Sequence, residues 1–309
     1  MAKGSENKYD IVIIGGGPAG FTAGLYSARG HYSSLLIERG MFGGLIANAG
    51  LVENFPGFPE GINGLELCDL IQKQAMKYGL QTLIADVSGI KPEKGQVGIK
   101  TNEGDMSAKA VIIAGGSEHQ KLSVPGEGEY TGRGVSYCAT CDAPLFHDKA
   151  VAVVGGGNSA VSEALHVAKF ATKVTMIHRR DQLRAGKLLQ KRAFAEPKID
   201  FCWNSEVTAI EGGDFVESIK LNEVKTGKES ALDVSGVFVS VGLKPNTDYL
   251  KNILSLDDLG YIATNEKMET SVPGVFAAGD IRHNSVRQTI TAAGDGATAA
   301  VYATRYISE

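Results

Sequence analysis

Two short glycine-rich turns, far apart in the chain, constrain the fold more than any other feature. Gly15-Gly16-Gly17-Pro18-Ala19-Gly20 follows the apolar, β-branched run Tyr9–Ile14, and a small-residue helical segment continues to about Ala28. Ser34-Leu35-Leu36-Ile37 reads as a second strand and ends at Glu38. Strand, Gly-x-Gly-x-x-Gly, helix, strand and acid, in that order, form a dinucleotide-binding βαβ unit. The glycines permit a tight turn and let a pyrophosphate approach the backbone at a helix N-terminus. Glu38 stands where ribose hydroxyls would donate to it. The pattern recurs as strand Ala150–Val154, turn Gly155-Gly156-Gly157-Asn158-Ser159-Ala160 and strand Val174–Ile177. Counted from the first glycine, His178 occupies the position that Glu38 holds in the first unit, and Arg179 and Arg180 follow it. A carboxylate there repels a 2′-phosphate, whereas arginines pair with one. The first unit therefore suits a dinucleotide with free ribose hydroxyls, such as FAD, and the second suits NADPH. Basic residues at a strand end are often only a solvated edge; here the matching offset gives them meaning.

Just before the second unit lies Cys138-Ala139-Thr140-Cys141, followed by Asp142. A CxxC can be half a zinc site, a redox pair or two packed thiols. Zinc needs a second pair or nearby histidines. Cys68 and Cys202 stand alone, and the six histidines are scattered. In a cytosolic chain a single close pair reads as redox-active. Cys68 shares a helical face with Leu67, Ile71 and Ala75 within Leu65–Gly79, and Cys202 lies in the strand-like Ile199–Trp203; both read as packing residues. Further strands are expected over Ala110–Ala114, Val237–Val241 and Val275–Ala278, the last leading into Gly279-Asp280. A final helix begins near Arg287-Gln288.

Net charge is −4, with no basic tract, which argues against nucleic acid or an anionic membrane as partner. Ile11–Ala28 is uncharged and nearly long enough to span a bilayer, but its glycines and Pro18 make a poor spanning helix. Lys3 and Lys8 are balanced by Glu6 and Asp10, so no positively charged leader is read. A soluble cytoplasmic protein is expected.

Taken in order, Gly15–Gly20, Glu53-Asn54-Phe55-Pro56-Gly57, Cys138–Asp142, Gly155–Ala160, His178–Arg180 with Arg184-Ala185, and Gly279-Asp280 with Arg287-Gln288 resemble the low-molecular-weight, NADPH-dependent thioredoxin reductases. The resemblance covers roughly residues 8 to 305. It implies an α/β fold of two Rossmann-like three-layer nucleotide-binding domains, the second inserted in the first. The FAD domain would be 1–116 with 245–309, and the NADPH domain, carrying the dithiol, 117–244. It also implies a homodimer acting on thioredoxin or another thioredoxin-fold protein. FAD contacts are implied for Gly15, Gly17, Pro18, Ala19, Gly20, Glu38, Gly44, Asn54, Val87, Gly279, Asp280, Arg287 and Gln288. NADPH contacts are implied for Gly157, Asn158, Ser159, Ala160, His178, Arg179, Arg180 and Arg184. Cys141 would face the flavin, Cys138 would attack the partner's disulfide, and Asp142 would protonate a leaving thiolate or reduced flavin. No metal is implied.

Four positions depart from the family pattern. Leu45 follows Gly43-Gly44 where glutamine is frequent, and Gly115 stands where threonine is common. Ala143-Pro144 replaces a glycine after Asp142, and Asn158 replaces a frequent aspartate. Related readings are a flavin dithiol enzyme fed by ferredoxin, a small-molecule dithiol oxidase, and a non-catalytic flavin redox sensor. The three arginines argue against ferredoxin as donor, and intact Cys138, Cys141 and Asp142 argue against a sensor.

Overall fold

The computed structural model describes residues 7–49, 52 and 54–309, and their side chains except those of Asn48, Thr140 and Cys141. The chain divides into two compact units, Met1–Glu118 with Lys244–Glu309, and His119–Leu243. The first begins with β1 (Lys8–Ile14), α1 (Pro18–Arg29), β2 (Ser34–Glu38), α2 (Gly64–Met76), β3 (Gln81–Ile84), β4 (Val87–Glu93), β5 (Gln96–Thr101), β6 (Gly104–Ile113) and β7 (Ser117–His119). The second holds β8 (Val135–Ser136), α3 (Ala139–Asp142), β9 (Ala150–Val154), α4 (Asn158–Val167), β10 (Lys173–His178), α5 (Lys187–Ala195), β11 (Ile199–Trp203), β12 (Ser205–Gly212), β13 (Val216–Glu223), β14 (Glu229–Asp233) and β15 (Gly236–Val239). The chain then returns through β16 (Leu243–Pro245) to β17 (Val275–Ala277) and α6 (Thr289–Ser308), and β16 pairs with β7.

The sheet of the first unit runs β3-β2-β1-β6-β5-β4. Its β3-β2-β1-β6 half is parallel, and β5 and β4 continue it antiparallel. β6 is long enough to serve two neighbours, pairing its first half with β5 and its last three residues, Val111–Ile113, with β17. Strands covered on both faces read as continuous apolar runs, and Ile11, Val12, Ile13 and Ile14 are all buried. Alternation divides them. Ile11 and Ile13 pack with Phe21 of α1 and Ala299 and Ala303 of α6, while Val12 and Ile14 pack with Ile90 of β4, Ile99 of β5 and Leu250.

The second unit carries a fully parallel sheet, β11-β10-β9-β15-β8. Val151, Val153 and Phe238 face α4 through Ala160, Val161 and Ala164. Ala152, Val154 and Val237 face Val207, Ile219 and Leu221 of the antiparallel sheet β12-β13-β14. That sheet replaces the helices usual on such a face. Both units thus have the Rossmann-like α/β architecture, each with an antiparallel element that strand-period reading did not anticipate. α2 also ends at Met76, short of the expected Gly79; its start is fixed by the Asn63 side chain, which accepts from Leu65 N (2.9 Å) and Glu66 N (3.4 Å).

α6 crosses α1 with backbone against backbone. A Cβ on Gly296 would lie 2.1 Å from the Ala19 carbonyl oxygen, whereas one on Gly294, two residues earlier, would meet nothing within 4 Å. Gly296→Ala is expected to destabilise the fold by about 1–3 kcal/mol through overpacking. Gly294→Ala should be neutral or stabilise by up to about 1 kcal/mol through helix propensity. Chemical denaturation of the two variants in parallel checks this contrast, and equal effects would remove the close-approach explanation.

Candidate functional site

β1 delivers the chain into Gly15, whose φ is +117°. A Cβ there would lie 2.3 Å from the Ala114 carbonyl oxygen, so the turn admits only glycine. Gly17 is the N-cap of α1, Pro18 fills the first helical position, and no side chain caps the helix. The first-turn N–H groups and the positive end of the helix are therefore free for an anion. Glu38, at the end of β2, braces the turn, accepting from Gly16 N at 2.7 Å and from Gly40 N at 3.1 Å. A cavity of about 250 Å³ brings Gly15, Glu38 and Val87 together with Gly115 and Asn246. Asn246 Nδ2 donates to the Gly115 carbonyl at 2.8 Å, fixing that wall of the cavity.

The Gly279-Asp280 turn rests on this same helix end, since a Cβ on Gly279 would lie 2.9 Å from that of Ala19. Asp295 of α6 holds it. Its Oδ2 accepts from Gly279 N (3.1 Å) and Arg282 Nε (2.6 Å), and its Oδ1 from Arg282 Nη2 (2.9 Å). Burial pushes the Asp280 carboxyl above the usual carboxylate range, opposed by the Ser285 hydroxyl at 3.2 Å. A second cavity, about 390 Å³, is lined by Ile46, Ala49, Val52, Asn54, Arg287 and Gln288. Asn54 Nδ2 donates to Gln288 Oε1 at 2.9 Å, and Arg287 lies 4.9 Å over the Tyr261 ring. Gly44 opens the short 3-10 helix Gly44–Asn48, next to the half-exposed Leu45. Glu53 lies outside the described residues.

In the second unit β9 runs into Gly155, where a Cβ would lie 2.2 Å from the Ser240 carbonyl oxygen. Gly157 caps α4, again with no side-chain cap. Asn158 Oδ1 accepts from Gly186 N (2.8 Å), and the Gly156 carbonyl accepts from Arg184 N (2.7 Å), so the loop after β10 folds back over the turn. Ser159 is exposed and Ala160 buried. Arg179, Arg180 and Arg184 are exposed, and no carboxylate pairs with them among the described residues. His178 differs from them. It is 5% exposed, its Nε2 has no partner, and its ring forms the floor under Gly156, where a Cβ would approach to 2.5 Å. Burial, and then the charges of Arg184, Arg180 and Arg179, hold its pKa below the ordinary value. The charge of this stretch therefore rests on the three arginines. On α4, Glu163 accepts from the Ser240 hydroxyl (3.3 Å) through Oε1 and leaves Oε2 unpartnered; burial pushes its pKa up to about 7.

The dithiol segment sits on the α4 side of the sheet. Ala139 and Ala143 are buried and fasten the single turn Ala139–Asp142. Asp142 N donates to the Cys138 carbonyl at 3.1 Å. Pro144 lies in the 3-10 helix Ala143–Phe146, and Phe146 meets Phe238 edge-on at 5.3 Å. Cys138 is disulfide-bonded, while Cys68 and Cys202 are free. The side chain of Cys141 lies outside the described ones. Cys68 is buried, donates to the Gly43 carbonyl at 3.4 Å, and has its pKa pushed up to about 11, which makes it an inert packing thiol. No metal-binding cluster occurs among the described residues, and none of the described helices is long and apolar enough to cross a membrane. Sequence reading missed Asp295, Arg282 and Glu163. The available signal was a lone acid, Asp295, inside an alanine–glycine helix that had to be buried.

Residues 9–296 match the family described as pyridine nucleotide-disulphide oxidoreductase. The chain is 47% identical over 307 residues to a thioredoxin reductase of Bacillus subtilis (strain 168), covering 99% of this chain and 97% of that one. Among solved structures, it resembles Lactococcus lactis thioredoxin reductase with a TM-score of 0.85 and 43% identity, over 97% of this chain and 99% of the other. A ferredoxin-flavin thioredoxin reductase from Clostridium acetobutylicum is similar with a TM-score of 0.53 and 32% identity, over 97% and 98% of the two chains.

Glu163 yields a pH-dependence. Its folded pKa, about 7, lies above the ordinary 4.5, so the folded state holds this proton more tightly than the unfolded one. The stabilisation is complete below about pH 4.5 and is lost as pH rises to about 7, a difference of up to about 3 kcal/mol. Glu163→Gln should match the parent at pH 4 and exceed it in stability at pH 8. Urea unfolding at both pH values checks it, and an equal change at both would remove the burial explanation.

Proposed function

The chain belongs to the pyridine nucleotide-disulphide oxidoreductases and, among them, to the thioredoxin reductases, and on that premise we propose that it passes electrons from NADPH through FAD and a Cys138/Cys141 pair to the disulfide of thioredoxin. The observation that carries this reading is one backbone device built twice with opposite charge. One open glycine turn ends at a carboxylate, the other at three unpaired guanidiniums, and a disulfide-bonded Cys138 shares the unit of the second. The residues fit both cofactors: uncapped helix ends offer N–H donors to a pyrophosphate, and the cavity at Glu38 and Val87 has room for an adenosine half.

In this reading Gly15, Gly17, Pro18, Ala19 and Gly20 cradle the FAD pyrophosphate, with Asp280 beside it, held by Gly279 and Asp295. Glu38 and Val87 take the adenosine end, and Gly44, Asn54, Arg287 and Gln288 line the flavin end. Gly157, Asn158, Ser159 and Ala160 receive the NADPH pyrophosphate, and Arg179, Arg180 and Arg184, over the neutral His178, take the 2′-phosphate. Bound together, the cofactors supply a hydride and relay its electron pair to a disulfide. The overall change consumes NADPH, one proton and the disulfide, and yields NADP⁺ and two thiols. Cys141 receives the electrons, Cys138 attacks thioredoxin, and Asp142 delivers the proton that a leaving thiolate needs. The FAD-binding part comprises the two outer segments and the NADPH-binding part the inserted one, in a cytoplasmic homodimer. Ferredoxin as donor is disfavoured by the intact guanidinium cluster and by the lower likeness to the ferredoxin-linked structure.

NADPH should bleach the flavin rapidly and drive thioredoxin reduction. Cys141→Ser should retain flavin and lose thioredoxin turnover; persistent turnover would overturn the dithiol assignment. Arg184→Ala should lower the preference for NADPH over NADH by about tenfold or more, as expected on losing a charge-assisted hydrogen bond. Flavin bleaching by each nucleotide in stopped flow reads this ratio, and an unchanged ratio would remove Arg184 from the 2′-phosphate site.

A further inference from the structure

Glu127 is 3% exposed and belongs to neither nucleotide turn. Its carboxylate receives three donors: Leu122 N at 2.8 Å and the Tyr137 hydroxyl at 2.8 Å on Oε1, and Ser123 N at 2.7 Å on Oε2. Ser123 has a φ of +60°, so the two N–H groups converge on the carboxylate across a bent backbone. Glu127 N donates to the Val124 carbonyl, and the Glu127 carbonyl accepts from Thr131 Oγ1 at 2.8 Å. The loop 122–131 is therefore cross-tied, with Tyr137 fastened to it by the phenol and its ring tilted against that of His119, 5.9 Å between centroids.

Tyr137 directly precedes Cys138. On the other side of Tyr137, Ser136 is buried, and its hydroxyl accepts from Cys138 N (3.1 Å) and donates to the Cys138 carbonyl (3.3 Å). The chain is thus held through side chains at two successive residues before the disulfide-bonded cysteine. How readily a disulfide is reduced depends on the effective concentration at which the fold presents its two thiols to each other. A clamp on one side of the bridge raises that concentration and favours the closed disulfide.

We propose that Glu127 and Tyr137 are positioning residues for the Cys138 disulfide, tying its chain segment to the 122–131 loop so that the closed form is favoured and the bridge resists reduction. The proposal deepens the reading of Cys138 as a working redox group and rests on it. Nothing in local sequence marks Glu127, because its partners are a phenol and two main-chain amides.

The test uses the flavin-loaded enzyme in glutathione redox buffers without NADPH. Two glutathione thiols are oxidised to one glutathione disulfide, and the enzyme disulfide takes up the electron pair and two protons. Free thiols are trapped with an alkylating agent and counted by mass. Tyr137→Phe keeps the ring and removes only the tie, and should raise the equilibrium constant for reduction about fivefold. Glu127→Gln keeps an acceptor but presents a second donor to the amides, and should shift the same constant in the same direction. Constants within twofold of the parent in both variants overturn the proposal, including when melting temperature falls, since that outcome marks a merely structural role. The titration uses neither NADPH nor thioredoxin. A parent enzyme that equilibrates with glutathione yet does not reduce thioredoxin from NADPH therefore counts against the functional reading and not against the clamp.

Discussion

The first turn of α1 is the fixed point of the first unit. The Ala19 carbonyl packs on Gly296, its methyl on Gly279, and Gly15 turns beneath it against Ala114. Each contact tolerates no added carbon, so three distant segments are referred to one helix end. Asp295, one residue before Gly296, adds charge to that geometry by gripping Gly279 N and the Arg282 guanidinium together. A nearly buried carboxylate is tolerable because each oxygen has a charged donor, and loss of the guanidinium would leave an uncompensated charge. Packing and ion pairing therefore secure the same turn.

The two glycine turns share a backbone and differ in electrostatics. In the first, Glu38 is occupied by main-chain donors from Gly16 and Gly40, which orients its carboxylate at the strand end. In the second, the equivalent position is a buried imidazole kept neutral by burial and by the very arginines it supports. A cationic histidine there would add repulsion without reaching solvent; a neutral ring provides a flat floor and leaves the charge on side chains that can move to a ligand.

Much of this was legible in the chain because it is local. The fingerprints, the Glu38-to-His178 exchange and the burial of Cys68 follow from spacing within some thirty residues. The antiparallel sheet β12-β13-β14 was not read from the chain, because irregular register interrupts the alternation of β12 and β14 is exposed along most of its length. His178 read as part of a basic run because sequence shows charge type, not burial. Arg282, Asp295 and Glu127 were missed for one reason: each is defined by partners that only tertiary packing supplies. The Cys138 segment was recognised by its motif, while its attachment through Tyr137 was not.

The insertion of one unit within the other has a consequence for biosynthesis. Residues His119–Leu243 are contiguous, so this unit can close while the ribosome is still translating Lys244–Glu309. The first unit cannot. β17 and α6 complete its sheet and cover α1, and both come from the last part of the chain. Until then β6 lacks a neighbour and Ile11, Ile13 and Phe21 lack part of their cover. The nascent chain thus exposes an apolar sheet face for most of its synthesis, and this is the interval in which a chaperone would find it.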